Sequence, residues 1–323
     1  MEWVYTKNVD GLTFVPVTYP LNKPDGILIE DLDLPYLINY IKEKKIKKAF
    51  VQGMSRFDFL KDCPSLEHLG IQFRLPFCAY KTVPMRGNRI YYEYDLSSLY
   101  HLPSLKSLTI IDLEEPFVHP SMHLDISKLP KLEMYYGEHA FVTNLDQAVS
   151  LRSLNLDHYS QRDFTKLYRL KRLDTIGLTC SKLYTLDGCE AFHELMCLYL
   201  HYNRSLKDIS ALSKVKETLR ALRIENCPKI EDFSVLGELE NLELLELSGS
   251  NVLPSLDFLK TMKNLKLFMF NMNVLNGDLT PCLNVSHVYS EKNRRHYNLK
   301  DEELPKGKFV MGNKDIEEWR RLE

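Results

Sequence analysis

Apolar residues recur along this chain with the spacing L-x-x-L-x-L, where any apolar side chain can stand at each L position. The clearest copies are Leu151-Leu154-Leu156, Leu173-Ile176-Leu178, Leu195-Leu198-Leu200, Leu219-Leu222-Ile224, Leu242-Leu245-Leu247 and Leu265-Phe268-Phe270. They begin at 151, 173, 195, 219, 242 and 265, so the steps between them are 22, 22, 24, 23 and 23 residues. The alternation within each copy predicts one short strand, and the near-constant step predicts that successive strands stack into a parallel sheet.

Looser copies extend this pattern in both directions. Ile46-Ala49-Val51, Leu66-Leu69-Ile71, Leu105-Leu108-Ile110 and Leu132-Tyr135 precede the clear copies, and Val285-Val288 follows them. The chain therefore contains about ten repeats. One repeat cannot bury its own apolar face, so we expect the repeats to gain their stability by stacking on one another.

A second signature follows the strands, three residues after the last L position. Five successive copies carry short side chains there that suit a turn, namely Ser181, Asn203, Cys227, Ser250 and Asn273. Residues 230–245 read I-E-D-F-S-V-L-G-E-L-E-N-L-E-L-L, and residues 207–212 look like the start of the same segment one repeat earlier. This line resembles the internalin-type leucine-rich repeat, and the resemblance covers roughly residues 34–290. It implies an α/β solenoid, a leucine-rich-repeat horseshoe or arc with a parallel β-sheet on the concave face and short helical or 3₁₀ return segments.

The two ends of the chain predict caps for this repeat domain. Residues 1–33 predict an N-terminal β-hairpin cap, because apolar runs flank the turn signal Asp10-Gly11. Residues 34–300 are assigned to the repeats, and residues 301–323 to a C-terminal helical cap with a helix at 315–322. Such caps hide the open ends of a stacked core from water.

One insertion interrupts the regular step. Leu66 and Leu105 begin neighbouring copies that are 39 residues apart, and the surplus falls near 73–94. The segment holds Phe77, Tyr80, Tyr91, Tyr92 and Tyr94 and predicts a hairpin. Its aromatic side chains either protrude toward a partner or fold back onto the repeats.

Composition and charge narrow the function classes. The chain has 323 residues with a formal net charge of -2, and its sequence pI is about 6.6. Nucleic-acid binders usually have a strongly basic face, and no apolar run reaches membrane-spanning length, so we expect neither nucleic acid nor a membrane as partner. Seven cysteines without a C-x-x-C pair and an N-terminus without a secretory signal predict a reduced, cytoplasmic protein. We also expect a monomer.

The sequence provides weak candidates for catalysis or metal binding. His119 and His123 are four residues apart, but Pro120 disfavours a shared helix face and favours a solvated loop. Cys197 and His201 stand on one strand about 13 Å apart, which is too far for a nucleophile and its base. The sequence therefore predicts no catalytic, cofactor-binding or metal-binding residues.

The strand residues that point away from the leucines are the candidates for recognition. They alternate with the L positions and would lie on the concave face, where they form columns of mixed aromatic, polar and charged residues without a Lys/Arg stripe. The predicted partner-binding residues are Tyr136, Asp157, Tyr199, His201, Arg223, Glu225, Glu246 and Met269. This pattern favours a protein-binding scaffold or adaptor that recognises a protein partner with some basic groups. An immunity or inhibitor protein that clamps a toxin or enzyme is the more specific alternative, and an enzyme with an unrecognised site is a third.

Overall fold

The computed structural model describes residues 5–17, 23–30, 33–54, 56–73, 82–85, 89–92, 94–112 and 123–307. The chain divides into two compact units. Unit 1 comprises Met1–Leu151 with Arg321–Glu323, and unit 2 comprises Arg152–Arg320. Within the described ranges, no helix is both long and apolar enough to cross a membrane.

Unit 1 opens with an antiparallel hairpin of strands β1 (Lys7–Val9) and β2 (Leu12–Val15). Asp10 and Gly11 join the strands with φ values of 52° and 79°, and a tight hairpin turn of the primed type requires such positive φ values. Strand β3 (Gly26–Ile29), which the sequence pattern did not indicate, pairs antiparallel with β2. Helix α1 (Leu34–Lys44) follows, and the Tyr40 hydroxyl donates to the Asp10 carboxylate at 3.3 Å, which ties the helix to the hairpin turn.

Unit 1 continues with short strands and 3₁₀ turns. The strands are β4 (Lys48–Gln52), β5 (His68–Phe73), β6 (Thr82–Met85), β7 (Arg89–Tyr92), β8 (Ser107–Asp112), β9 (Leu124–Asp125), β10 (Met134–Glu138) and β11 (Val142–Thr143). The 3₁₀ turns are Asp58–Asp62, Ser97–His101, Ile126–Lys128, His139–Phe141 and Leu145–Gln147. Strands β3, β4, β5, β8 and β10 pair in parallel in that order, and β9 pairs with β11. The four looser copies that precede the clear ones therefore each form a strand at the expected place.

The insertion between β5 and β8 contains the antiparallel pair β6 and β7. Tyr94, at its end, is buried and stacks on Phe73 with ring centroids 4.4 Å apart. Phe57 contacts both rings edge-on. This tyrosine therefore packs into the core of unit 1, whereas Phe77 and Tyr80 lie outside the described residues.

Unit 2 contains the regular copies. Its strands are β12 (Ser153–Asp157), β13 (Thr175–Thr179), β14 (Cys197–His201), β15 (Ala221–Glu225), β16 (Leu244–Ser248), β17 (Val252–Leu253), β18 (Leu267–Phe270), β19 (Asn273–Val274) and β20 (His287–Ser290). The 3₁₀ segments are Thr165–Leu167, Cys189–Ala191, Ser210–Val215, Ser234–Glu238, Asp257–Lys260, Thr280–Asn284 and Asp301–Glu303. Seven of these strands form a parallel ladder in chain order, from β12 to β16 and then β18 and β20.

The L positions of successive repeats stand side by side in this ladder. The central L residues Leu154, Ile176, Leu198, Leu222, Leu245, Phe268 and Val288 are paired in register and fully buried. Burial of an aliphatic side chain of this size stabilises a fold by roughly 1.5–3 kcal/mol. The predicted register and stacking are confirmed.

In four central strands, the residue that directly follows the strand has a left-handed backbone conformation. His158, Cys180, Tyr202 and Asn226 have φ values between 52° and 54°. Each donates its backbone N–H at 2.9 Å to the last residue of the following strand, so the strand ladder continues into the turn. These four positions need positive φ without having glycine, and the sequence pattern did not reveal them because the hydrogen bond joins neighbouring repeats.

Asn203 links the turns that follow β13 and β14 from a fully buried position. Its side-chain amide donates to the Leu178 carbonyl, and its Oδ1 accepts from the Ser181 N–H, both at 2.9 Å. Two repeats further along the chain, Asn251 occupies the corresponding place and donates to the Cys227 and Ile230 carbonyls. The adjacent Ser250, which the sequence favoured for this role, is exposed.

Replacing Asn203 by alanine is expected to lower the free energy of unfolding by roughly 2 kcal/mol, because two buried backbone groups lose their partner. Urea denaturation would measure this loss. The matched control is Ser250→Ala, which is exposed and should change the free energy by less than about 0.5 kcal/mol. Equal losses in the two variants would contradict the role assigned to Asn203.

The far edge of the unit 2 ladder is covered by residues 291–307. The Val288 N–H donates to the Pro305 carbonyl at 2.9 Å, and the Gly307 N–H donates to the Ser286 carbonyl at 3.1 Å. The buried Tyr297 hydroxyl accepts from the Val274 N–H and donates to the Met272 carbonyl. This cover pairs polar groups that an edge strand would otherwise expose. The helix expected at 315–322 lies outside the described residues.

Candidate functional site

The side chains that alternate with the buried leucines in unit 2 form the outer strand face, on the side of the ladder away from the leucine core. We define this face by three columns that run across the strands. The first column is Ser153, Thr175, Cys197, Ala221, Leu244, Leu267 and His287. The second column is Asn155, Gly177, Tyr199, Arg223, Glu246, Met269 and Tyr289. The third column is Asp157, Thr179, His201, Glu225, Ser248, Asn271 and Glu291.

The first column contains a second, smaller hydrophobic core. Cys197, Ala221, Leu244 and Leu267 follow one another in register and are 0–1% exposed. Met196, Tyr199 and Met269 pack against them. This core was not among the sequence-based predictions. Its signal in the sequence is four successive apolar residues at a position where other repeats carry Ser, Thr or His.

Arg223 lies in the middle of the outer strand face and is only 6% exposed. Its Nε donates to the Glu246 carboxylate on the next strand at 2.5 Å, and its guanidinium stacks over the Tyr199 ring at 5.5 Å. A charged group in this environment requires its partner, since desolvation of a lone guanidinium costs several kcal/mol. Arg223 is therefore a positioning residue that fixes Tyr199 and Glu246.

Tyr199 connects this ion pair to a second group of aromatic and acidic side chains. Its hydroxyl donates to the Glu225 carboxylate at 3.3 Å, and its ring stacks on His201 with centroids 5.4 Å apart. His201 Nε2 lies 3.2 Å from the other Glu225 oxygen, and Tyr202 covers its ring at 4.1 Å. Burial raises the pKa of Tyr199 well above its usual range, and the nearby Glu225 carboxylate raises it further. The phenol thus remains a protonated donor.

The structure brings six of the eight predicted residues into one cluster on β14, β15, β16 and β18, namely Tyr199, His201, Arg223, Glu225, Glu246 and Met269. Asp157 lies in the same unit at the end of β12, where the register Asp157, Thr179 and His201 places it two strands from the cluster. Tyr136 belongs to β10 of unit 1 and is exposed.

The outer strand face carries an excess of negative charge. Its acidic residues are Asp157, Glu225, Glu246 and Glu291, and Arg223 is its only Arg or Lys, so the sum is −4 + 1 = −3 with neutral histidines. The whole chain has 42 Lys and Arg residues against 44 Asp and Glu residues. The deficit of cations is therefore specific to this face.

The remaining candidates for chemistry lie in other environments. Burial raises the pKa of Cys189, Cys227 and Cys282 to about 12 each, so these thiols stay protonated at neutral pH. Among the described residues, no three His, Cys, Asp or Glu side chains are grouped so that they could hold a metal ion. His119 lies outside the described residues, and His123 is exposed.

Register and periodicity decide the type of fold. Parallel strands recur in step with the L-x-x-L-x-L copies, each followed by a 3₁₀ return segment, and the L side chains form one continuous core in unit 2. The chain has the leucine-rich-repeat fold. No protein-family model matches the sequence, and no curated protein matches it. Among solved structures, the chain is similar to an internalin, InlF, from Listeria monocytogenes at 16% identity and a TM-score of 0.49, covering 85% of this chain and 82% of that one. It is also similar to a leucine-rich-repeat protein from Leptospira interrogans at 14% identity and a TM-score of 0.46, with 91% and 68% covered.

Proposed function

We propose that this leucine-rich-repeat protein is a non-catalytic scaffold or adaptor that binds a protein partner on the outer strand face of unit 2. The observation that carries the proposal is the fixed cluster of Tyr199, His201, Arg223, Glu225 and Glu246 above the second hydrophobic core. Tyrosine, arginine and methionine are enriched at protein interfaces relative to other surfaces. A preordered side-chain network on the strand face away from the leucine core favours recognition over a purely structural role.

Preorganisation is the physical advantage of this cluster. Ordering a long side chain on association costs about 0.5–1.5 kcal/mol. Tyr199 is already held by Glu225 through its hydroxyl and by Arg223 through its ring, so a partner meets a surface whose rotamers are set. The contacts themselves would come from the more exposed neighbours, including His201, Glu225, Met269 and Tyr289, with Arg223 acting beneath them.

The absence of catalysis, the cytoplasmic location and the monomeric state belong to the same proposal. The protonated state of the buried thiols supports the first of these, because a thiol nucleophile needs an accessible thiolate. The acidic outer strand face supports a protein partner over a nucleic acid, because phosphate binding needs a row of cations.

Site-specific photo-crosslinking tests the proposed docking surface. A photoreactive phenylalanine analogue would replace Tyr289, which is 48% exposed on the outer strand face, and in a control protein Tyr168, which is 59% exposed on a return segment. In cells that make the protein, we expect a discrete crosslinked partner from position 289, and at least tenfold less of it after adding Tyr199→Ala. A partner captured from position 168 alone, or no partner from position 289, would rule out this surface.

A further inference from the structure

Two carboxylates on the outer strand face carry charge that no Arg or Lys of the described residues neutralises. Glu225 accepts from the Tyr199 hydroxyl and lies beside His201 and the Asn226 amide. Glu291 accepts from the Asn271 amide and is exposed. Glu246 differs from both, because Arg223 already matches its charge. Glu225 and Glu291 are thus available to a cation that comes from outside.

These two carboxylates lie in the third column, and an apolar pair lies beside them in the second. Met269 and Tyr289 are direct neighbours in the ladder, and Met269 also packs against the second hydrophobic core. Lys306 covers one side of the Tyr289 ring at 5.6 Å, but its ammonium is matched by Asp301 at 2.7 Å. The surface therefore offers an apolar contact with uncompensated negative charge beside it.

The outer strand face accommodates a linear segment. Seven strands at about 4.8 Å spacing span about 29 Å, and a five-residue strand spans about 17 Å. A single stretch of extended chain that crosses the strands fits this area.

The distance between Glu225 and Met269 determines how far apart the matching side chains on such an extended chain must be. Glu225 and Met269 are two strands apart and two residues offset along the strand direction, which corresponds to about 12 Å. An extended chain advances about 3.1–3.3 Å per residue, so this distance corresponds to three or four residues.

We infer that the partner docks through an extended segment that presents a lysine or arginine to Glu225 and, three or four residues away, a large apolar side chain to Met269 and Tyr289. The inference rests on the proposed function and adds the chemistry of the partner. Charge complementarity supplies the specificity, since a segment with acidic residues at the same place would meet like charge on this face.

Panning of a random peptide library displayed on phage tests this chemistry, with the purified protein immobilised as bait. We expect the enriched peptides to combine a Lys or Arg with a large apolar residue at the stated spacing. Glu225→Lys should weaken their binding on the order of 100-fold, because it replaces attraction by repulsion. The matched control is Glu231→Lys, the same charge change at an exposed position on the return segment after β15, which should alter binding by less than about threefold. Melting curves would verify that both variants are folded.

Each result bears on the inference. Acidic or neutral enriched peptides, no enrichment over the blank support, or basic peptides that bind Glu225→Lys as well as the unmodified protein would overturn it. Crosslinking distinguishes this failure from that of the proposed function. A partner captured from position 289 together with non-basic peptides would support the docking surface and contradict only the basic segment. Capture from position 168 alone would contradict the docking surface itself.

Discussion

Leu198→Asp is expected to abolish the cooperative thermal unfolding transition of unit 2. Leu198 is the central L residue of its repeat, is 0% exposed, and stands between Ile176 and Leu222 in the parallel ladder. The substitution removes an aliphatic side chain from a close-packed position and places a carboxyl group there without a partner. We expect the free energy of unfolding to fall by at least about 4 kcal/mol, which is a large part of the stability of an ordinary domain.

Circular dichroism during heating measures this effect, and the neighbouring strand offers a matched control. Thr179 is a half-buried residue in the third column of the outer strand face, so Thr179→Asp introduces the same group where water can reach it. The control should lower the melting temperature by only a few degrees. Similar melting temperatures for the two variants would contradict the assignment of inward and outward positions.

Glu246→Leu is expected to destabilise unit 2 by roughly 3 kcal/mol. The substitution removes the carboxylate that lies 2.5 Å from Arg223, whose side chain is 7% exposed. The loss of one partner from a buried ion pair typically costs 3–5 kcal/mol, because the other charge stays desolvated. We use the lower end of this range because the Tyr199 ring still stacks on the guanidinium.

The double variant Arg223→Met with Glu246→Leu tests whether the lost stability comes from a buried unpaired charge or from a simple loss of packing. Replacement of a whole buried pair by apolar residues of similar size is often close to neutral. We therefore expect the double variant to recover at least about 2 kcal/mol of the loss, as measured by urea denaturation. A double variant less stable than Glu246→Leu alone would show that Arg223 has a structural role beyond its ion pair with Glu246.

Local sequence patterns predicted much of the fold. Each L-x-x-L-x-L copy repeats the same burial requirement, so residues such as Leu154, Leu198 and Leu245 revealed the strand, its inward face and its register with the next strand. The Asp10-Gly11 turn was equally visible, because φ preferences act within a few residues. Strand β3 was not visible, since its pairing with β2 and β4 depends on segments that the pattern did not join.

The candidate site was predicted in part. Alternation along the strands placed Tyr199, His201, Glu225 and Met269 on one face, and the ladder confirms that they share it. Whether these residues bind a partner stays a prediction. Alternation did not distinguish Arg223 from its neighbours on this face, whereas in the structure it is a buried, ion-paired residue beneath them.

The sequence by itself determined which side chains face the leucine core and which face outward, because that choice follows from a period of two along each strand. Only the tertiary structure decided which outward residues are accessible and which are covered. The burial of Cys197 and Leu244, the pairing of Arg223 with Glu246 and the position of Asn203 between turns all arise between neighbouring repeats. The physical reason is that desolvation and hydrogen bonding depend on distances between atoms about 23 residues apart in the chain, which a one-dimensional pattern does not contain.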